Sequence, residues 1–304
     1  MRERQHYSNI SPICLFAYAR PEHTRRTLEA LVANRLADQS DLIVYADAAH
    51  SSKEEVLVNE VRALVRGAQG FRTVSVIERE INYGLVRNII EGVTAVCRKY
   101  GRVIVLEDDL VTSTHFLTYM NEALDLYADD ERVASIHGWC FPTERCLPEA
   151  FFLPGADCWG WATWRRGWAL FKSDGEFLLN EIKRRQMTRS FDLNGAYPFT
   201  RMLEDQIRGR NDSWAIRLHA SVFLEGKLSL YPGRTLVHNI GNDSSGVHCG
   251  KTSAFDSQLS HTPIDLSQVT VELSEVGLIA YKDFFRKIFS FWNRLRRKVF
   301  RNAE

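Results

Sequence analysis

Three consecutive acids, Glu107-Asp108-Asp109, follow directly on the apolar run Val103-Ile104-Val105-Leu106. A short β-branched run ending in carboxylates reads as a buried strand that delivers them to its C-terminal edge. In open α/β sheets that edge is where ligands bind. Hard carboxylate oxygens there suit Mg2+ or Mn2+, and such an ion bridges on to substrate phosphates. The competing reading is a helix N-terminus, where acids offset the macrodipole and Thr112 or Ser113 supplies the cap. Three crowded like charges repel one another; a cation relieves that repulsion and a cap alone does not. The metal–phosphate reading is therefore preferred.

The elements that must carry this triplet alternate through the first half of the chain. Apolar runs predict strands over 13–18, 42–46, 74–77 and 103–106, and helical spacing predicts helices over 22–32, around Val56 to Val65, and over 85–100. This βαβαβαβ rhythm implies an α/β fold, a largely parallel sheet with helices on both faces. No G-x-G-x-x-G follows the first strand and no G-x-x-x-x-G-K-[ST] occurs, so neither a dinucleotide nor a P-loop site is expected. Further on, a helix is expected over 116–127, a strand over 133–137, a polar helical region over 176–190, helices near 199–208 and 214–223, and strands over 228–231 and 236–238. Between them lies a tryptophan-rich stretch, Cys158-Trp159-Gly160-Trp161-Ala162-Thr163-Trp164, followed by Trp168. Asn239 to Cys249 reads as a Gly/Ser/Asn loop.

The 304 residues suffice for one large α/β domain, and a formal charge of +1 gives no global positive field to hold nucleic acid. Polar residues at Met1–Asn9 raise no expectation of an export signal or anchor, and no apolar stretch is long enough to span a bilayer. The six cysteines show no CxxC or zinc-ligand rhythm, and Cys14 and Cys97, in apolar periodic segments, read as buried thiols. A reducing cytoplasm is the expected compartment. The C-terminal segment differs in character. Phe284, Ile288, Phe291, Trp292, Leu295 and Val299 form one helical stripe, with Arg286, Lys287, Arg294, Arg297 and Arg301 over much of the rest. A basic amphipathic helix with aromatics on its apolar face suits an anionic membrane surface. The alternative is packing on its own domain or a second subunit. The membrane is favoured, which places the protein peripherally on the inner face of the cell membrane.

Taken together, the first strand, the acidic triplet and the tryptophan block resemble a GT-A (Rossmann-like) glycosyltransferase. Among these the chain is similar to the inverting β-1,2-N-acetylglucosaminyltransferase I family and the bacterial sugar transferases related to it. The resemblance covers roughly residues 10–250 and is carried by 103–110 with Phe116-Leu117-Thr118-Tyr119, by Ala17-Tyr18-Ala19-Arg20, and by Asp47-Ala48-Ala49-His50. Phe152-Leu153-Pro154-Gly155 and Gly160-Trp161 look like the family's segment beside the sugar, with residues inserted between them here. The resemblance implies a transferase domain over 1–267, with a nucleotide-binding half over 10–110 and an acceptor half over 111–267, then a tail over 268–304. It implies that Ala17, Arg20 and Asp47 line the nucleotide, that Asp109 is the direct ligand of Mn2+ or Mg2+, and that Glu107 and Asp108 face the sugar and ribose. Asn82-Tyr83-Gly84-Leu85-Val86-Arg87-Asn88 resembles the loop that lines the donor, which adds Asn82, Gly84 and Arg87; Trp161 is added beside the sugar. His248, in a segment resembling the family's closing loop, is assigned to a phosphate oxygen or the metal. For the base that deprotonates the acceptor hydroxyl, Asp212 in Asp212-Ser213-Trp214 is the nearest match, although the family's second acid is a serine here; Asp205 is the runner-up.

The expected activity is metal-dependent and inverting transfer of a hexosyl or N-acetylhexosaminyl group. The donor would be a nucleotide sugar, most simply a UDP-sugar, and the acceptor a glycan or lipid-linked intermediate of a bacterial surface polysaccharide. A sugar-phosphate nucleotidyltransferase is the alternative enzyme; the Ala17-Tyr18-Ala19-Arg20-Pro21 segment lacks the glycine-rich, basic signature such enzymes carry. A non-catalytic carbohydrate-binding or scaffold protein is the alternative from another class, and the costly cluster at 107–109 counts against it.

Overall fold

The computed structural model describes residues 10–243 and 252–301, with side chains to residue 289. In chain order the strands are β1 Ile13–Ala17, β2 Asp41–Ala46, β3 Thr73–Glu78, β4 Arg102–Glu107, β5 Leu110–Thr112, β6 Val133–His137, β7 Ala150–Pro154, β8 Trp161–Trp164, β9 Leu228–Pro232 and β10 Val237–Asn239. The helices are α1 Pro21–Val32, α2 Glu55–Arg66, α3 Gly84–Tyr100, α4 Phe116–Leu126, α5 Arg165–Trp168, α6 Gly175–Arg184, α7 Thr188–Phe191, α8 Phe199–Ile207, α9 Trp214–Leu224 and α10 Glu275–Arg301.

Eight strands form one sheet in the order β3-β2-β1-β4-β8-β6-β9-β7. The first four are mutually parallel. β8 runs against both β4 and β6, β9 parallels β6, and antiparallel β7 closes the far edge. The result is the expected α/β class with a mostly parallel sheet, and 3-2-1-4 is the strand order of a Rossmann half-sheet. Alternate residues of the parallel strands feed opposite faces, as a period of two requires. Ile13, Leu15, Leu42, Val44, Ile104 and Leu106 pack with α1, α2 and α4, while Cys14, Phe16, Ile43, Tyr45, Val103 and Val105 pack with α3. Both faces are therefore covered, which explains why these strands read as unbroken apolar runs. Cys14 and Cys97 are buried thiols, and burial pushes Cys97 up to about 12.

Three strands escaped the sequence pattern. β8 is buried at every position, so Trp161-Ala162-Thr163-Trp164 shows no alternation, and its tryptophans fall by chance at helical intervals. β7 is covered likewise at four of its five positions, and β5 has three residues and pairs, among the described residues, only with β10. The polar region 176–190 is broken between α6 and α7, where Gln186 takes a φ of 58°.

The C-terminal helix is only partly a tail. Ala280, Tyr281, Phe284, Phe285 and Ile288 are buried in the main core. Phe284 lies 5.9 Å from Trp139 and Phe285 4.5 Å from Tyr197, centroid to centroid, and Asp283 pairs with Arg145 at 2.6 Å. Phe284 and Ile288, expected on a membrane-facing stripe, are thus spent on packing against the chain's own domain. The physical reason is the open aromatic face of Trp139, Phe141 and Phe151 beyond β9 and β7, which needs a cover. Phe291, Trp292, Leu295 and Val299 belong to the same stripe, but their side chains lie outside the described residues. Among the described residues, no helix is long and apolar enough to cross a membrane.

Candidate functional site

β1 is flanked by β2 on one side and β4 on the other, so the chain leaves in opposite directions around it. Such a switch point opens a crevice at the carboxyl ends of the strands, where ligands of open α/β sheets bind. Arg20 enters this crevice from β1 and the acidic triplet from β4. Pro21 occupies the first turn of α1, where its missing N–H costs nothing, and so starts the helix immediately after Arg20. The Arg20 guanidinium spans two carboxylates: Nη1 donates to Asp109 Oδ2 at 2.9 Å and Nη2 donates to Asp108 Oδ1. Asp108 Oδ2 also accepts from the Tyr18 N–H at 2.9 Å, and Thr27 Oγ1 donates to the Asp108 carbonyl at 2.9 Å. The triplet is followed by β5, not by a helix, so the helix-cap reading does not describe it.

The electrostatics follow from crowding in a buried place. Burial pushes the Glu107 carboxyl up to about 8, with Asp109 and Asp108 adding to the rise and Arg20 opposing it. Asp108 is also raised, first by burial, against the pull of Arg20. Burial works against the Arg20 charge, but Asp108 and Asp109 outweigh it and hold the guanidinium above its ordinary range. One cation thus serves three acids, and negative charge remains in excess. Among the described residues no group of three or more His, Cys, Asp or Glu is arranged to hold a metal. An ion here would rest on one or two carboxylates, Asp109 with Glu107, and complete its shell from donor phosphates and water. That is the habit of Mg2+ and its relatives at phosphate sites, so the residues fit such an ion.

A second segment closes on the rim. The Ile240 N–H donates to the Asp109 carbonyl at 2.9 Å, and Gly241 lies so close that a Cβ on it would stand 2.2 Å from Asp109 Oδ2. Only glycine lets the backbone approach the carboxylate this tightly. His23 Nε2 and Asp243 Oδ2 are 3.1 Å apart at the next turn of this segment. His248, further along, lies outside the described residues.

Asp47 is placed at the same edge, at the end of β2. Its Oδ1 accepts from the N–H groups of Ala48 and Tyr83, and its Oδ2 from Gly84, each at 2.9 Å. It therefore holds the start of α3. Of roughly four lone-pair positions on a carboxylate, these bonds take three. Asn82 Nδ2 donates to the Ala48 carbonyl at 2.7 Å, and Gly84, with φ of +70°, makes the turn that aims these amides. Ala17 lies buried beneath, its carbonyl accepting from the Asp47 N–H at 3.1 Å. Arg87 pairs with Glu91 at 2.8 Å and lies 3.7 Å from the Tyr83 ring centre, while Arg79 covers that ring at 4.3 Å. The sequence reading missed this guanidinium–phenol–guanidinium stack; Arg79 and Tyr83 flank the turn, but no local pattern announces their stacking.

Three expected site residues fall elsewhere. Trp161 is in the core, its ring 5.5 Å from Trp214 and 5.9 Å from Trp168, and has no surface on which a sugar could stack. The reason is its position inside β8, facing the α3 side of the sheet. Asp212 is 72% exposed, with Arg217 at 3.8 Å, and the cap of α9 is Ser213, not Asp212. Asp205 is paired with Arg210 at 3.0 Å. Among the described residues no hydrogen bond or ion pair joins Asp212 or Asp205 to the rim.

No family model matches this chain, and neither does any curated protein. Solved structures resemble it weakly. S. aureus TarS matches with a TM-score of 0.31 and 13% identity over 48% of this chain and 24% of that one. A TarS fragment, residues 1-349, matches at 0.32 and 11% over 52% and 48%. A mannose-1-phosphate geranyltransferase from Thermus thermophilus matches at 0.35 and 14% over 77% of each chain. Likeness this faint carries nothing about substrate or reaction.

Proposed function

We propose that the protein is a glycosyltransferase of the GT-A kind, moving a sugar from a nucleotide sugar, most simply a UDP-sugar, to a glycan or lipid-linked acceptor with inversion. The observation that supports this reading best is Arg20 bridging Asp108 and Asp109 across the switch point between β1 and β4. A guanidinium beside an excess of carboxylates can hold a diphosphate only if a further cation joins the acids, which is what a metal–diphosphate donor brings. Asp109 and Glu107 would hold Mn2+ or Mg2+, and the ion when bound would stabilise charge on the departing diphosphate. Asp47 would accept from a ribose hydroxyl or base N–H. Arg87 and the Arg79–Tyr83 stack would flank the same nucleotide. The outer half of α10, rich in arginine, would meet an anionic membrane carrying the acceptor.

The test is a thermal-shift panel of nucleotide sugars with and without Mn2+, followed by an assay of free nucleotide. A ligand that binds only the folded chain raises its melting temperature. A metal-dependent shift with slow release of nucleoside diphosphate is expected, and Asp109→Ala should abolish the metal-dependent part. Pyrophosphate formation from sugar phosphate and nucleoside triphosphate would instead mark a nucleotidyltransferase. Sugar binding without turnover would mark a scaffold.

A further inference from the structure

Away from the rim, residues from 140–145 after β6, 233–235 between β9 and β10, and 257–262 wall a cleft of about 370 Å3. That volume is at the lower end for a small-molecule site. Thr235 ties the three walls together. Its Oγ1 accepts from the Cys140 N–H at 3.0 Å, its carbonyl accepts from the Ser260 N–H at 2.9 Å, and the Ser260 carbonyl accepts from Ser113 Oγ at 2.6 Å. The polar lining includes Arg145, Arg234, Gln258 and His261 with several hydroxyls. Among the described residues, no aspartate or glutamate lines it.

Both guanidinium groups are held in place by residues outside the lining. Arg145 Nε and Nη2 donate to Asp283 Oδ2 of α10 at 2.9 and 2.6 Å. Arg234 Nη1 and Nη2 donate to Glu149 Oε1 and Oε2 at 2.7 and 2.8 Å, and Nη2 also donates to the Pro263 carbonyl at 3.2 Å. Each arginine is about half exposed, and a guanidinium carries five N–H donors, so both keep donors for a ligand. An arginine already fixed by a carboxylate offers them without the entropy loss of ordering a long side chain. Asp283 and Glu149 cancel much of the net charge, so recognition rests on the aimed N–H groups. The hydroxyls of a neutral sugar need acceptors as well as donors, and this lining has no carboxylate to accept. A phosphoryl group is all acceptor and matches the guanidinium fork.

Two placements connect the cleft to the acceptor. Arg145 joins it through Asp283 to α10, the helix whose outer half is read above as meeting the membrane. Thr235 leads into β10, and five residues on, the Ile240 N–H donates to the Asp109 carbonyl. At the rise of an extended chain, the cleft and the rim are at most ~16 Å apart, within the span of a short saccharide. We propose that the cleft seats the phosphoryl group of a lipid-linked acceptor, whose saccharide extends along β10 toward the rim. The acceptor assignment rests on the transferase reading above; phosphate binding rests on the lining alone.

The test is calorimetric titration of the full chain with two probes, inorganic phosphate and octyl phosphate diluted into neutral-detergent micelles. Octyl phosphate should bind the more tightly, and its affinity should fall as salt rises. Arg145→Gln and Arg234→Gln should each weaken it by about 10- to 100-fold, as for hydrogen bonds to a charged group. Their melting temperatures should hardly change, because both ion pairs are exposed. Arg66→Gln removes a similarly bidentate pair, with Glu78, outside the cleft, and should bind as the parent does. If Arg145→Gln lacks a cooperative melt, Arg234→Gln decides. Parent affinity in the arginine variants of the cleft overturns the proposal, as does an equal loss in Arg66→Gln or a parent chain that takes up neither probe. Inorganic phosphate held as tightly as octyl phosphate supports an anion site and overturns the lipid-linked acceptor. Octyl phosphate held by a chain that no nucleotide sugar stabilises refutes the transferase reading, and with it the acceptor assignment, while the phosphate site stands.

Discussion

In the parallel half of the sheet, β3-β2-β1-β4, charge at the carboxyl edge is met by opposite charge or by aimed amides. Arg20 spans Asp108 and Asp109, and Asp47 collects three backbone N–H groups. In the mixed half, β8-β6-β9-β7, the buried histidines and serines are neutral and enclosed. His137 Nε2 contacts Ser135 Oγ at 3.0 Å, Ser135 contacts Ser229 at 2.7 Å, and His219 Nδ1 meets the Ala156 carbonyl at 2.9 Å. Burial lowers His137 to about 3, with His219 adding to the fall, and lowers His219 to about 4. The two halves thus differ in how they keep polar groups inside: by paired or amide-held charge on one side, and by neutral hydrogen-bonded groups on the other.

Arg20→Ala should have the largest effect, because it leaves Asp108 buried with its charge unpaired. A loss of about 3 kcal/mol in urea unfolding is expected, at the lower end for a broken buried pair, together with loss of any donor-induced shift. Unchanged stability would mean the rim tolerates bare carboxylates and the contrast between halves is false. Asp47→Ala strips acceptors from three amides and should cost about 2 kcal/mol, read from the same melts, with α3 amides near Gly84 exchanging faster.

The mixed half should show itself through pH. A histidine whose folded value lies below its unfolded value of about 6.5 binds fewer protons when folded. Its contribution is complete above that value and is lost as pH falls through it toward about 4 for His219 and about 3 for His137. Between pH 7.5 and 5.5 each should remove about 1.4 kcal/mol of stability. His137→Gln should remove one such share, seen as a shallower slope of stability against pH relative to the parent. An unaltered slope would show that His137 does not stay neutral in the fold. Gly241→Ala should have the smallest effect on the metal-free protein, about 1 kcal/mol or less by analogy with other local repacking. It should nevertheless weaken the Mn2+-dependent donor shift, since the new methyl displaces Asp109; equal shifts would remove that segment from the site.

Legibility tracked locality. The strands β1 to β4 and the helices between them were readable because burial on both faces leaves continuous apolar runs. The triplet could be placed at a sheet edge for the same reason. Of the expected donor residues, Arg20, Asp47, Asn82 and Gly84 are brought to that edge by the ends of successive strands. Trp161 was misplaced because a buried strand of tryptophans has no alternation to reveal it. Asp212 was singled out by a short motif, and a motif says nothing about whether its side chain is turned to solvent. In the same way a continuous amphipathic stripe at 284–299 did not disclose that its first turns cover Trp139 and Phe141.

By itself the sequence determined the α/β class, the order of the early elements, and the delivery of three acids to one strand end, because hydrophobic periodicity is a local property of the chain. Only the tertiary structure decided which charge answers those acids, since Arg20 lies 89 residues before Asp109 and reaches it through strand pairing. It alone decided which aromatics become core. Those outcomes depend on who becomes whose neighbour, and desolvation and Coulomb energies are set by distance in space, not by distance along the chain.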